Sequence, residues 1–475
     1  MSQLSWDRLL SPKRSREYVR RSENDVRSEF RKDYHRIIGS ASFRRLQDKT
    51  QVFPLDRGDF VRTRLTHSLE VSSFAGSLGD TVFRRLLSEG REGVTEALRE
   101  AACDILECAG LVHDIGNPPF GHFGEYTIRE WFGENLSKLS FMGRPVVELL
   151  DERMKGDFLN FEGNAQALRV LTKLHYLIDE NGMNLTYALL NTIIKYPVTS
   201  LGIDRASGDI KDKKMGYYLS EDALFNAVTD ATGAEGCRYP LTFLLEAADD
   251  IAYKTADIED AVRKGMLSYG QLLAELNSDR YMSMCADDVQ REAMVMAAEK
   301  LRHCYAKAAE KSMPSPEENA VQNWIVAMQG MMIYAAADAF CDSYDVIMDG
   351  AMKRELLAVS PAAVLSEALS DIAYRYAFTS KEILKIELSV GTMMSFLLER
   401  LTGAALRFET PYERIQDNKL ISVISENYLK ICRSACEGRS EAEQAYSRLM
   451  LVTDYLCGMT DGFARELYRE IMGIT

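Results

Sequence analysis

The amino-acid sequence predicts an all-α protein. Its 475 residues include only 11 prolines and 30 glycines, and it is rich in Ala, Leu, Glu and Arg, which are good helix formers. Apolar residues recur with the period of an amphipathic helix over long stretches, most clearly in residues 66–88. Beyond residue 270 the helical pattern continues without a repeat or a linker. The glycine-, lysine- and aspartate-rich residues 196–218 predict a small loop or hairpin insertion.

The first two strongly periodic helices each carry a histidine on the apolar face. In the helix predicted over residues 66–88, His67 lies four residues before Val71 and falls on the same stripe. In the next, predicted over roughly residues 96–114, His113 shares a face with Ala109 and the apolar residues before it. Both imidazoles are therefore predicted to face inward.

A rigid turn follows the second helix. Asn117-Pro118-Pro119 ends the helix, because proline cannot continue it and restricts the residue before it. A new helix is predicted from His122 through Trp131, with Glu125 one turn after the histidine and on the same face. Further helices are predicted over residues 164–179, from Ser220, and from Pro240, a favourable first-turn residue.

The helix from Pro240 concentrates acidic residues on one face. Glu246, Asp249, Tyr253 and Asp257 recur at helical spacing, so this face carries three carboxylates and a phenol.

Charge and composition exclude several classes of protein. A net charge of −14 argues against nucleic acid coating the whole surface. The apolar run at residues 324–337 is too short to span a bilayer, and the first residues lack the apolar core of a secretory signal. Nine cysteines without a CxxC pair indicate reduced thiols. We expect a cytoplasmic protein that makes no membrane contact.

The N-terminal region departs from the acidic average. Between Arg8 and Arg36 there are ten Arg or Lys residues against five Asp or Glu. This excess favours a local anionic ligand, and the alternative is a solvated helix face paired with acidic neighbours.

Four residues form a candidate metal site: His67, His113, Asp114, and either Asp249 or Asp250. Two imidazoles with two carboxylates suit Mn²⁺, Mg²⁺, Fe²⁺ or Ni²⁺, whereas structural zinc sites more often use thiolates. A single histidine on an apolar face is usually a core residue, and it is the combination that predicts the site. The histidines at positions 35, 175 and 303 have no such neighbours in the sequence, and we expect them to have structural roles only.

These residues resemble a known family. The H…HD…D arrangement is similar to that of the HD superfamily of metal-dependent phosphohydrolases. Longer segments resemble the deoxyguanosine triphosphate triphosphohydrolases (dGTPases): RRLQDKTQVFPL (44–55), TRLTHSLEV (63–71), HDIGNPPFGHFGE (113–125), FEGNAQALR (161–169), KYP (195–197), EAADDIAY (246–253) and DYLCGMTDGFA (454–464). That family cleaves a deoxynucleoside triphosphate between the 5′ oxygen and the α-phosphate, releasing deoxynucleoside and triphosphate.

The resemblance implies a role for each matching residue. The metal ligands would be His67, His113, Asp114 and Asp249, with Mn²⁺ or Mg²⁺ as the ion and Fe²⁺, Co²⁺ or Ni²⁺ as alternatives. His122, oriented by Glu125, would activate the attacking water or protonate the leaving 5′ oxygen. The implied substrate-binding residues are Arg64 and Lys195 for phosphate, Tyr196 beside them, Tyr253 and Asp257 for the deoxyribose, Gln47 near sugar and base, and Arg448, supplied to a neighbouring subunit's site.

The resemblance also implies an organisation and partners. Residues 1–60 would be a basic segment that packs on the core and lines the pocket, residues 61–265 the HD phosphohydrolase core, and residues 266–475 a helical region that makes subunit contacts and completes the pocket. A homo-oligomer is expected, with a hexamer favoured over a tetramer. Single-stranded DNA is a further candidate partner, at the basic N-terminal region.

Three other functions are alternatives. A broad-specificity or allosterically activated dNTP triphosphohydrolase shares these motifs. Another HD-superfamily nucleotide phosphohydrolase is disfavoured, since HDIGNP stands where a (p)ppGpp hydrolase has HDxxED, and no HD-GYP text is present. A non-catalytic sensing module on an HD scaffold is disfavoured by the intact candidate ligands.

Overall fold

The predicted all-α fold is confirmed. A computed structural model of the chain describes residues 4–16, 25–51, 62–175 and 179–474. The last part of the 44–55 motif and parts of the 1–60 segment lie outside the described residues. In the described part of the chain nearly all regular structure is helical.

The helices follow one another with short connections. In chain order they are α1 (Trp6–Leu9), α2 (Glu29–Ile38), α3 (Ala41–Arg45), α4 (Arg64–Ser88), α5 (Glu96–Val112), α6 (His122–Asn135), α7 (Val146–Leu149), α8 (Glu152–Leu159), α9 (Gly163–Arg169), α10 (Tyr187–Ile193), α11 (Asp222–Thr232), α12 (Pro240–Arg263), α13 (Tyr269–Leu276), α14 (Asp279–Met282), α15 (Asp288–Glu310), α16 (Pro316–Asp342), α17 (Tyr344–Met348), α18 (Ala363–Ala373), α19 (Lys381–Arg407), α20 (Ile415–Ile421), α21 (Glu426–Cys436), α22 (Glu441–Cys457) and α23 (Asp461–Met472).

One predicted helix differs from the structure in length. The helix predicted over residues 164–179 is α-helical over Gly163–Arg169 and then forms a π-helical turn over Val170–Leu174. The Leu171 carbonyl accepts the Met183 N–H at 2.8 Å, so the chain turns back there instead of continuing the helix. The loop or hairpin predicted over residues 196–218 is a loop with a short 3₁₀ turn. Among the described residues a separate hairpin pairs β1 (Ser140–Phe141) with β2 (Arg144–Pro145) around Gly143, whose φ is +82°.

The chain forms two compact units, each built from segments distant in sequence. The first compact unit comprises Met1–Asp7, Leu69–Gly110 and Tyr239–Lys385, and the second comprises Arg8–Ser68, Leu111–Arg238 and Ile386–Thr475. These bounds differ from the three segments expected from the sequence, whose functional division stays a prediction.

The first compact unit is a bundle around α12, α15, α16 and α18. The buried Trp324 of α16 donates from its indole nitrogen to Ala297 O of α15 at 2.8 Å, and Arg375 forms a bidentate ion pair with Glu275 at 2.7 and 2.8 Å. By length and composition α16 is the one helix of the described residues that passes as a membrane span, and slightly more than half of its apolar window is buried in the protein. It thus has the burial expected of a core helix.

The second compact unit has an apolar core formed by α6, α8, α19 and α22 with their neighbours. A buried ionic network lies beside it. Arg169 of α9 forms a bidentate ion pair with Asp454 at 2.7 Å and donates to Glu221 at 3.0 Å. Gln166 also donates to Asp454, at 2.9 Å. The network links α9 to α22 and fixes the helix that lies behind the candidate site.

Candidate active site

Two helix ends bring His67 and His113 together. His67 lies in the first turn of α4 and His113 follows the last residue of α5. The two helices are joined by a hydrogen bond from Ser72 Oγ to Glu107 O at 2.8 Å. The imidazoles meet edge to face with their centroids 5.3 Å apart, and their residues are 0% and 3% exposed.

Asp114 completes a cluster of candidate ligands with these histidines. One ligand atom from each of the three residues lies within 4.8 Å of the other two, and Nε2 of His113 is 3.6 Å from Oδ1 of Asp114. Two imidazole nitrogens and a carboxylate oxygen converging at this spacing are a donor set that suits a mid-hard divalent ion. The residues present therefore fit the metal that the sequence predicts.

Both oxygens of Asp114 are held by neighbouring side chains. Arg64, which is 3% exposed, donates from Nη1 to Asp114 Oδ2 at 2.5 Å. Asn117 donates from Nδ2 to Oδ1 at 2.6 Å. Hydrogen bonds of this kind fix the orientation of a ligand carboxylate, and their loss weakens metal sites.

The turn from Asp114 to Gly121 is held by residues far away in sequence. Lys49 donates from Nζ to Asn117 O and to Cys457 O, both at 2.6 Å. Asp461 accepts the Phe120 N–H at 2.8 Å through Oδ1. Its Oδ2 accepts from the backbone and hydroxyl of Thr50 at 3.0 and 2.6 Å. The turn is thus tied to the segment before α4 and to the start of α23.

Phe120 and Gly121 both have positive φ angles, 65° and 58°. That conformation is unfavourable for a bulky residue such as phenylalanine. The hydrogen bond from the Phe120 N–H to Asp461 stabilises the backbone in this strained conformation. At Gly121 an added Cβ would also collide with the Arg64 guanidinium. Glycine is therefore required where α6 begins.

His122 and Glu125 form an ion pair on the first turn of α6. His122 Nδ1 lies 3.0 Å from Glu125 Oε2, and Glu125 Oε1 accepts the Gly163 N–H at 2.8 Å. The His122 side chain is 85% exposed and that of Glu125 is 2% exposed. The imidazole thus faces solvent while its partner is buried.

The pKa values of this pair move apart. The hydrogen bond and negative charge of Glu125 raise the pKa of His122, against the opposing effects of desolvation and of Arg64. Burial alone would raise the pKa of Glu125, but the His122 hydrogen bond and charge, with Lys214 and the Gly163 N–H, outweigh it and lower that pKa. The pair is therefore stable as imidazolium and carboxylate.

The acidic face of α12 belongs to the first compact unit. Asp249 and Tyr253 are half-buried and Asp257 is 3% exposed. Asp250, the alternative ligand, accepts from Lys254 Nζ at 2.8 Å. Burial, ahead of the opposing charge of Lys254, raises the pKa of Asp250 to about 6.

The other predicted site residues belong to the second compact unit. Lys195 and Tyr196 are buried after α10, and Gln47 is exposed. Arg448 of α22 is 6% exposed and donates from Nη1 to Ala405 O and Phe408 O at 2.9 and 2.5 Å. Its predicted role in a neighbouring subunit stays a prediction.

Several described cations of the N-terminal region are paired with acids. Arg14 is buried against Asp33 at 2.5 Å and Glu29 at 3.2 Å, and Lys32 pairs with Glu29 at 2.9 Å. These contacts favour the structural interpretation of the basic segment for the residues involved.

Three residues that position the site are not among the predicted site residues: Asn117, Lys49 and Asp461. Asn117 lies three residues after Asp114, and this spacing could have predicted their contact. Lys49 and Asp461 make contacts that join residues 68 and 341 positions apart. Such contacts leave no local pattern.

Comparison with known proteins agrees with this geometry. Residues 64–176, which contain the His67–His113–Asp114 cluster and the His122–Glu125 pair, match the family model of the HD domain. The chain therefore contains an HD domain, and both the cluster and the pair lie within it.

Similarity to whole proteins is more specific. The chain is 45% identical to the deoxyguanosinetriphosphate triphosphohydrolase-like protein of Listeria monocytogenes, covering 99% of this chain and 100% of that protein. It is 32% identical to the deoxyguanosinetriphosphate triphosphohydrolase of Serratia proteamaculans, covering 95% of both. A probable deoxyguanosinetriphosphate triphosphohydrolase of Pseudomonas aeruginosa is 33% identical over 95% of this chain and 94% of that protein. The chain belongs to the deoxyguanosinetriphosphate triphosphohydrolase family, which confirms the resemblance seen in its motifs.

Proposed function

We propose that this protein is a metal-dependent triphosphohydrolase that converts dGTP into deoxyguanosine and inorganic triphosphate by attack of water at the α-phosphate. The observation that carries the proposal is the convergence of two buried histidines, His67 and His113, with the partly exposed Asp114 within 4.8 Å. The cluster lies in a chain that aligns over nearly its whole length with proteins named deoxyguanosinetriphosphate triphosphohydrolase or deoxyguanosinetriphosphate triphosphohydrolase-like protein.

His67, His113 and Asp114 would hold the divalent ion. A divalent ion at this position supplies Lewis-acid polarisation of a phosphoryl oxygen. Asp249 stays the predicted fourth ligand. The Lys254 ion pair on Asp250 supports this choice, because it already engages the other aspartate of the pair.

His122 would carry the proton transfer. Its Nδ1 is engaged by Glu125, which fixes the imidazole in one orientation and leaves Nε2 as the atom that exchanges a proton with water or with the 5′ oxygen. Its exposed side chain is reachable by a substrate, whereas Glu125 is buried and acts through the histidine.

Arg64 and Lys195 would neutralise the triphosphate. Arg64 already donates to Asp114 through Nη1, while its buried Nε makes no hydrogen bond within the described residues. A guanidinium can therefore serve the metal ligand and a phosphoryl oxygen together. Tyr196, Tyr253, Asp257, Gln47 and Arg448 keep the pocket roles that the resemblance implies.

Product analysis tests the activity. The purified chain would be incubated with Mn²⁺ or Mg²⁺ and each dNTP singly, then with all four mixed, and products separated by anion exchange. We expect triphosphate and deoxyguanosine from dGTP, and loss of both with EDTA. Hydrolysis of several dNTPs offered singly would indicate a broad-specificity enzyme. Hydrolysis only in the mixture would indicate an allosterically activated enzyme. No triphosphate under any condition would contradict the proposal.

Two variants separate metal binding from proton transfer. Asp114→Asn is expected to lose bound Mn²⁺, measured by elemental analysis after gel filtration. His122→Gln is expected to retain Mn²⁺ but lose kcat by about 10²-fold, the usual contribution of general acid–base catalysis. His303→Gln, an exposed histidine of α15, is the matched control and should change neither quantity. Full activity of His122→Gln would exclude the histidine from the reaction.

A further inference from the structure

Two cysteines lie one turn apart at the end of α21. Cys432 is buried and Cys436, the last residue of the helix, is half-buried. Their thiols are close enough for each to shift the pKa of the other. Both also contact the backbone of α22, Cys432 Sγ at 3.7 Å from Ser447 O and Cys436 Sγ at 3.8 Å from Gln444 O. The two sulfur atoms are thus neighbours on one side of the helix.

A small cavity opens beside the two thiols. It has a volume of about 160 Å³, large enough for several water molecules or a small oxidant. Its lining includes Cys432, Cys436, Phe408, Leu429 and Arg448. Both sulfur-bearing side chains therefore border a space that a small molecule can occupy.

A buried positive charge faces this cavity. Arg448 is 6% exposed, and its Nη1 donates to two carbonyl groups. Its Nε is buried and makes no hydrogen bond within the described residues. A guanidinium in a poorly solvated position stabilises an anion nearby, such as a thiolate or a leaving hydroxide.

The two thiols differ in acidity. The neighbouring Cys432 thiol, followed by the charge of Arg448, lowers the pKa of Cys436 against the effects of burial and of the Glu409 carboxylate. The Cys436 thiol and burial raise the pKa of Cys432. Burial raises the pKa of Cys103 to about 12 and that of Cys341 to about 11, so those thiols stay protonated at neutral pH.

We propose that Cys436 is a site of oxidation by hydrogen peroxide or a small organic hydroperoxide, and that Cys432 is its resolving thiol. The Cys436 thiol ionises, its thiolate attacks one peroxide oxygen, and the O–O bond breaks. The leaving hydroxide or alkoxide takes the proton that the thiol released to solvent, giving water or an alcohol. The sulfur, oxidised by two electrons, is then a sulfenic acid. Cys432 attacks this sulfur, a disulfide forms, and the hydroxyl leaves as water after taking the Cys432 proton.

The helix geometry permits this second step. Residues four apart on a helix have Cα atoms about 6 Å apart along the axis and Cβ atoms roughly 5–6 Å apart. A disulfide accepts that Cα separation but needs Cβ atoms at about 3.5–4.5 Å. Cys436 ends the helix, and it is followed by an extended Glu437 and by Gly438 at φ +68°. Disulfide formation therefore requires the last turn of α21 to shift, together with its hydrogen bond from the Glu437 N–H to Arg433 O at 3.0 Å.

The test follows the two thiols by mass spectrometry of the intact purified chain. Treatment with one equivalent of hydrogen peroxide is expected to join Cys432 and Cys436 in one peptide that is lighter by two hydrogens and restored by dithiothreitol. In Cys432→Ser the sulfenic acid should persist and be trapped by dimedone at Cys436. The control thiol is Cys285, which is half-buried on the first compact unit and whose pKa is raised by burial. We expect Cys436 to react about tenfold faster than Cys285.

Each other outcome overturns part of the proposal. Equal reaction of Cys436 and Cys285, or no reaction of Cys436, would exclude a dedicated site. A sulfenic acid that persists at Cys436 in the unaltered chain would exclude Cys432 as resolving thiol. The Arg448→Met variant should slow the first step, and an unchanged rate in a variant with unaltered circular dichroism would remove the arginine from the mechanism.

Discussion

Lys49, which is buried against the turn that carries Asp114, should make the stability of the chain depend on pH in a defined direction. Lys49 is 3% exposed and donates to two carbonyl groups, Asn117 O and Cys457 O. Burial, with a smaller contribution from the charge of Arg64, lowers its pKa from an ordinary value of 10.5 to about 8. The charged form is therefore less favourable in the folded chain than in the unfolded one.

The magnitude follows from proton linkage. Below pH 8 both states hold the proton and the cost of burying the charge is complete. Between pH 8 and 10.5 the unfolded chain binds more protons than the folded chain, so stability rises with pH. The slope approaches about 1.4 kcal/mol per pH unit. Lys49→Met removes this dependence, so the unaltered chain should gain about 2 kcal/mol over the variant between pH 7.5 and 9.5.

Urea unfolding at several pH values measures this difference. Trp131 is buried in the second compact unit, which contains Lys49, whereas Trp6 and Trp324 belong to the first. The comparison is therefore made in a Trp6→Phe, Trp324→Phe background, in which Trp131 supplies the fluorescence. The difference in unfolding free energy between the unaltered chain and Lys49→Met is the quantity compared, because other groups that titrate in this range cancel. Lys138→Met, at an exposed lysine, controls for loss of a cation. A difference that stays constant or falls as pH rises would refute the reasoning.

Three further predictions concern the same unit. Glu125→Gln should move the pH–activity profile to lower pH, because Glu125 raises the pKa of His122 in the folded chain; a profile that stays in place would contradict this coupling. Asp461→Ala should lower kcat by about tenfold at unchanged helix content, because Phe120 loses its hydrogen bond and the turn becomes less ordered; unchanged kcat would show that the turn needs no such support. Arg169→Met should destabilise the chain by about 3–5 kcal/mol, because it leaves two buried carboxylates without their cation; thermal unfolding checks this, and a shift of under a degree would contradict it.

The sequence predicted the helical fold where the pattern was long and periodic. The helix expected over residues 66–88 is α4, and the helix expected over roughly residues 96–114 is α5. The helix from residue 164 was wrong in length, because a π-helical turn follows Arg169 and apolar periodicity does not distinguish that turn from an α-helix. The two compact units were not foreseen, since each collects segments separated by more than a hundred residues.

Two pairs of site residues could be predicted from the sequence because their members are close along the chain. His122 and Glu125 lie within one helical turn, and His113 and Asp114 are adjacent, so local spacing predicts their proximity. The side chains that hold the turn between these two pairs could not be predicted in this way, because they are distant along the chain. Asp461 reaches the turn only after the chain has folded back on itself, and no periodicity encodes that return.

The hydrogen bond between Asp461 and Phe120 also affects the order in which the site forms during synthesis. The two residues are 341 positions apart, and ribosomes add roughly 5–20 residues per second. The turn that carries Asp114 therefore emerges tens of seconds before the carboxylate that holds it. During that interval the nascent chain already contains both histidines of the cluster but lacks one support of the turn. We expect nascent chains to bind a divalent ion weakly until α23 docks, so that ribosome-held intermediates lack the activity of the finished protein.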